Sequence, residues 1–199
     1  MPYAARTSGP LPSETVARVV AFWFGEPGSP TEGEPRKEWF VQDDAFDQAI
    51  AERFTEEMDA AADGRLDGLM ATPLGCVTLV ILLDQFPRNV FRNSPAAFAC
   101  DQKARTVTRH ALEQGFDADL RPVHRLFLYM PLEHSECLSD QEASVELFRQ
   151  LGNAEWLDYA IKHRDLIARF DRFPHRNAVL GRASTPEEEA FLADHGRGF

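Results

Sequence analysis

The chain has 199 residues, 44% of them apolar and 27% charged, which fits one domain with a single buried core. Its formal net charge of −11 repels phosphate, so nonspecific nucleic-acid binding and attraction to anionic membranes are excluded. The longest apolar run, Val77 to Leu83, is too short to span a bilayer and the N-terminus has no export-signal pattern, so a cytoplasmic protein with no membrane partner is expected.

Residues 1–12, rich in Pro, Gly, Ser and Ala, read as a flexible arm, and 13–199 as a single helical domain. From Ser13 as N-cap, Val16, Val19, Val20 and Trp23 follow helical spacing up to Gly25. A Gly/Pro loop then leads past Trp39 and Phe40 to a cap at Asp43 or Asp44. Phe46, Ile50, Phe54 and Met58 recur every four residues and predict a second helix, ending near Gly64, with its acidic face in solvent. Thr72-Pro73, Ser94-Pro95 and Thr185-Pro186 each put a capping side chain before a proline that suits the first helical turn.

The helix opened at Thr72 is apolar on every side and is expected at the centre, ending or kinking at Phe86 because the residue before a proline avoids the α region. The one opened at Ser94 runs through Phe98, Val107 and Leu112 to Gly115. Pro122 to Met130 forms another, stopping before Pro131. Ser139 with Glu142 predicts a capping box for a helix closing at Gly152, and Trp156, Tyr159, His163, Ile167 and Phe170 mark one face of a long helix. Thr185 with Glu188 is a second box. With no alternating pattern anywhere, the fold class is all-α, about eight helices in antiparallel pairs. Cys76, Cys100 and Cys137, an odd number at wide spacing, suit neither a disulfide framework nor a zinc pair and are expected to be buried thiols.

Arg169 to Arg182 crowds four arginines and His175 among Phe170, Phe173 and Leu180, and its Asp-Arg-Phe-Pro-His-Arg-Asn phrase nearly repeats Asp84-Gln-Phe-Pro-Arg-Asn. Two copies predict one device used twice, with both corners facing a shared polar cavity. The motifs Leu83 to Asn89, Tyr129 to Glu136, and Arg172 to Asn177 with Gly181-Arg182 resemble the bacterial domain of unknown function 924 family, along essentially the whole chain. That resemblance implies a tetratricopeptide-like α-α superhelical fold and no settled activity. Asp171 stands where the family is expected to have glycine, and Leu69 near an expected tryptophan.

The strongest candidate constellation is basic. Arg88, Arg92, Arg125, Arg172, Arg176 and Arg182, with Asn89, Asn177 and Tyr129, form a candidate ligand site, since guanidinium forks match carboxylate or phosphate. The competing structural reading pairs these arginines with Asp84 and Asp171 and spends their other donors on helix C-termini. His134, His163 and His175 are the candidate acid–base residues. His134 followed by Glu136 is a weak metal pattern, and no metal, cofactor, P-loop or nucleophile elbow is implied. Two functions follow: a binding module holding a small anion or a peptide carboxylate, or an enzyme acting on a small anionic substrate. A wide groove favours the module, and a closed pocket with convergent His and Arg favours the enzyme. Oligomeric state is not encoded in any of these patterns.

Overall fold

Three of the marked caps close as their side chains predict: Asp43 accepts from the Phe46 amide, Thr72 from Gly75, and Thr185 and Glu188 form both halves of a capping box. The computed structural model describes residues 12–196, so most of the expected N-terminal arm lies outside the described residues. The helices are α1 (Pro12–Phe24), α2 (Asp44–Ala62), α3 (Pro73–Val80), α4 (Phe86–Val90), α5 (Asp101–Glu113), α6 (Pro122–Glu133), α7 (Leu138–Leu151), α8 (Ala154–Phe170) and α9 (Pro186–His195). Short 3-10 turns punctuate the connections, and no strand occurs among the described residues.

Four boundaries differ from expectation. Phe86 keeps α-helical angles, and α3 continues into α4 through a π-helical turn at Ile81–Gln85, in which the Phe86 amide bonds to the Ile81 carbonyl. The widened turn eases the clash a proline ring makes with the carbonyl four residues back, so Pro87 is carried inside the rod. Counting α3 and α4 as one rod leaves eight among the described residues. Pro131 likewise sits inside α6, close enough to its end that the missing N–H costs a single intrahelical bond. The α7 N-cap is Cys137 and the Ser139/Glu142 box does not form. At Ser94 the cap opens a 3-10 turn, Pro95–Phe98, before α5 begins.

From Gly75 to Pro87 the α3 rod is buried on every side, as its uniform apolarity predicts, and only its first turn, with Leu74, is exposed. Around it an aromatic cluster joins Trp23, Trp39 and Phe127, with ring centroids 4.9 Å apart for Trp39 and Phe127 and 5.4 Å for Trp23 and Phe127. Phe46, Ile50, Phe54, Leu79, Leu82 and Phe127 are buried, whereas Phe98, Trp156 and Phe170, which the spacing also puts on apolar faces, are only partly so. Cys76 is buried, but Cys100 is half-buried and Cys137 exposed, because the latter caps a surface helix. Among the described residues no helix is long and apolar enough to cross a membrane.

α6, α7 and α8 pack consecutively through short connections, so α7 runs antiparallel to both neighbours and α6 and α8 point the same way. α8 ends at Asp171, a non-glycine residue in the left-handed region (φ 57°), and the chain turns through Phe173 into the 3-10 turn Pro174–Arg176. The two Phe-Pro phrases therefore have different backbones, one helical with a π turn and one an irregular corner. They are not one device used twice.

Candidate functional site

A cleft of about 690 Å³ opens between the 35–41 segment, α4, α6 and the first turns of α8. All three sequence-predicted acid–base residues, His134, His163 and His175, line it, together with Arg88, Asn89 and Arg92. Its volume lies within the range of small-molecule sites.

His134 follows the last residue of α6 and turns its Nδ1 onto the Asp84 carboxylate, at 3.0 Å from Oδ1 and 2.9 Å from Oδ2. Asp84 sits in the π turn and is wholly buried. π turns recur at functional sites because they re-aim one side chain without breaking the helix. Burial pushes the Asp84 carboxyl up, but the Arg88 guanidinium and His134 outweigh it and hold it well below the usual carboxylate range. Gln85 Nε2 also donates to Oδ2, at 2.6 Å. Burial lowers the His134 pKa, and Arg88 reinforces this against the pull of Asp84, so the ring is neutral at pH 7. An ionised Asp84 can only accept, so Nδ1 carries the proton and Nε2 keeps its lone pair.

His163, on α8, places its Nδ1 2.9 Å from the carbonyl of Tyr159 one turn back and 2.9 Å from Oε1 of Glu133 on α6, so here the carboxylate shares the nitrogen with a backbone acceptor. The His134 and His163 ring centroids are 6.3 Å apart. Two imidazoles thus stand side by side in one cleft, one backed by a buried carboxylate and one held by a backbone carbonyl beside Glu133. His175 stacks near Phe173, 5.5 Å between centroids, and its buried Nδ1 has no protein partner. Burial, with the neighbouring Arg176, pushes its pKa down to about 4.

The arginines are already occupied. Arg88 pairs with Asp84 at 3.0 Å and holds Asp101 through two bonds of 2.9 and 3.0 Å. Arg176 is buried between Phe98 and Phe173, its Cζ 4.6 and 4.5 Å from their ring centroids, and reaches Asp101 only at 3.4 Å. Burial and Arg88 lower its pKa to about 10. Arg88 and Arg176 therefore meet, but at a shared carboxylate behind the cleft wall and not across an open cavity. Arg92 and Asn89 both hold Asp47, at 2.6 and 2.7 Å.

Six predicted ligand residues lie away from the cleft lining. Arg125 donates to the Tyr129 hydroxyl, which donates to Asp117. Arg172 is paired with Glu188, while Arg182 grips Glu136 at 2.7 Å and Asn177 at 3.0 Å. With Arg176, these braces tie the C-terminal corner to the bundle. Asp171 pairs with none of the arginines; it is exposed at the helix end. Glu136 serves Arg182 and the Phe173 amide, and is no partner of His134. Among the described residues no group of three or more His, Cys, Asp or Glu is arranged to hold a metal ion.

The family model for "Bacterial protein of unknown function (DUF924)" matches residues 19–196. The chain belongs to the DUF924 family. A solved structure of a protein of unknown function from Agrobacterium tumefaciens is 37% identical, covering 92% of this chain and 98% of its own, with a TM-score of 0.84. No match is found among curated proteins. In this DUF924 member the residues sequence reading missed are Glu133, Asp101 and the cleft walls Arg36, Lys37, Trp39 and Phe40. Glu133 was detectable in principle, since it adjoins a histidine at the end of an apolar helix. Asp101 carries no local signal at all.

Proposed function

We propose that the protein is an acid–base enzyme acting on a small organic anion bound in this cleft. The observation that carries the reading is the buried Asp84 at the Nδ1 of His134, which leaves Nε2 as a base on the cleft side. A proton taken at Nε2 makes an imidazolium that the Asp84 carboxylate stabilises, the role an orienting carboxylate plays for a general base. His163, whose Nδ1 lies against the Tyr159 carbonyl and Glu133, is the second imidazole beside it.

The anionic class rests on the cations of the lining. Arg88 and Arg92 are taken by Asp84, Asp101 and Asp47, so among the described residues the lining cations that no carboxylate holds are Arg36 and Lys37, with Glu133 and Glu155 as the lining acids. Arg36 caps the C-terminal carbonyls of α1, at 2.6 Å from Phe22 O, and neither it nor exposed Lys37 makes an ion pair among the described residues. A module that merely clamps an anion needs open guanidinium forks, and those of Arg88, Arg92, Arg172 and Arg182 are already on carboxylates.

The test is a turnover panel of small carboxylates, phosphate esters and their neutral amides. Turnover of an anionic class is expected, falling by about 10²- to 10⁴-fold in His134→Gln. Binding without turnover of any member would return the protein to the module reading.

A further inference from the structure

The two helices that carry the histidines also carry the rest of the cleft in a graded order. On α6 the lining runs Leu126, Met130, then Glu133 and the following His134; on α8 it runs from the cap Asn153 and Glu155 through Trp156 and Tyr159 to His163. Both helices point the same way and are pinned side by side by the Glu133–His163 pair. Two turns back from that pair, Leu126 and Trp156 line the same cleft. That end is walled by the 35–41 segment, which brings Phe40 and Val41 beside Arg36 and Lys37 and is anchored where Trp39 packs on Phe127 at 4.9 Å. There Phe40 is 60% exposed, Val41 49% and Tyr159 41%. These are the most solvent-exposed large apolar side chains that line the cleft, and a folded protein leaves such groups together at a binding surface.

We infer that the cleft takes an amphipathic molecule, with an alkyl or aromatic body roughly 10 Å long, two helical turns at 1.5 Å per residue, against Phe40, Trp156 and Tyr159. Its polar head reaches His134 and His163. This deepens the acid–base reading by naming the shape of its substrate, and depends on that reading only for what happens at the head.

The experiment is calorimetric binding of the straight-chain carboxylates from acetate to decanoate, and of the matching primary amides, to the wild-type chain and to Phe40→Ser. Phe40 is mostly in solvent, so the variant folds. Affinity should climb by up to about fourfold per added methylene and then level off as the chain fills the apolar end. Phe40→Ser should weaken the long members by about fivefold or more through loss of one aromatic contact face, and leave the short ones unchanged. A flat series, no binding of any member, or equal binding of long members by the variant overturns the inference. Long members that bind but are never turned over overturn the acid–base reading alone, whereas turnover of short anions with no length dependence overturns the inference alone.

Discussion

Asp84 Oδ2 lies 2.9 Å from Nδ1 of His134, 50 positions along the chain. The contact is the inner end of a relay. Asp101 fixes Arg88, Arg88 fixes Asp84, and Asp84 sets which nitrogen of His134 bears the proton. Asp101 lies outside the cleft lining and acts only through Arg88, so it is a positioning residue, whereas Arg88 lines the cleft as well as fixing Asp84.

The relay separates two arginines that look alike in sequence. Arg88→Met leaves wholly buried Asp84 without its cation and should cost about 3–5 kcal/mol, the usual penalty for an uncompensated buried charge. Arg176→Met keeps the packing between Phe98 and Phe173, and Asp101 retains Arg88. Its own ion pair is long and its buried Nε has no partner. Replacing it with a similar apolar volume should change stability by less than about 1 kcal/mol. Urea unfolding of the two variants checks the contrast; equal losses would mean that both arginines carry the same structural load.

Asp171 holds a left-handed conformation that an L side chain resists. Asp171→Gly should raise stability by about 0.5–1 kcal/mol, the relief of strain exceeding the added freedom of the unfolded chain. Asp171→Ala should lower it. A thermal melt that ranks alanine above glycine would show that the corner relaxes when the aspartate is removed.

Acid should destabilise the fold earlier than carboxylates alone predict. Burial, aided by Arg121 and Arg176 respectively, holds His124 and His175 at about 4 in the folded chain, against an ordinary 6.5. Between those values the unfolded state binds more protons, so stability is complete above about pH 6.5 and falls as pH drops toward about 4. Glu136, whose pKa is lowered despite burial because Arg182 and the Phe173 amide bond it, extends the loss further into acid. The unfolding midpoint should start to fall near about pH 6.5, and His124→Gln with His175→Gln should flatten that limb. A midpoint level down to about pH 4.5 would show that neither ring is held neutral.

The bundle was legible because its signals are local. Asp43, Thr72 and Thr185 cap where their own side chains dictate, and Phe46, Ile50 and Phe54 share one stripe whatever surrounds them. The family resemblance, carried by the two Phe-Pro phrases and the Tyr129 to Glu136 run, agrees with the family match. The three candidate histidines line one cleft. Their partners were not legible, because Asp84 reaches His134 from a π turn that absorbs Pro87, and proline chemistry taken locally argues for a break there. Asp101 opens α5 behind a cap with no side-chain bond, so nothing nearby marks it as the meeting point of Arg88 and Arg176.

The most direct measurement of the central claim is a long-range ¹⁵N–¹H correlation spectrum of the imidazoles, followed against pH in the wild type and in Asp84→Asn. The account predicts that His134 is neutral at pH 7 with its proton on Nδ1, that it titrates below the ordinary histidine range, and that Asp84→Asn releases the tautomer. A His134 that is cationic at pH 7, or that carries its proton on Nε2 with Asp84 intact, would contradict it.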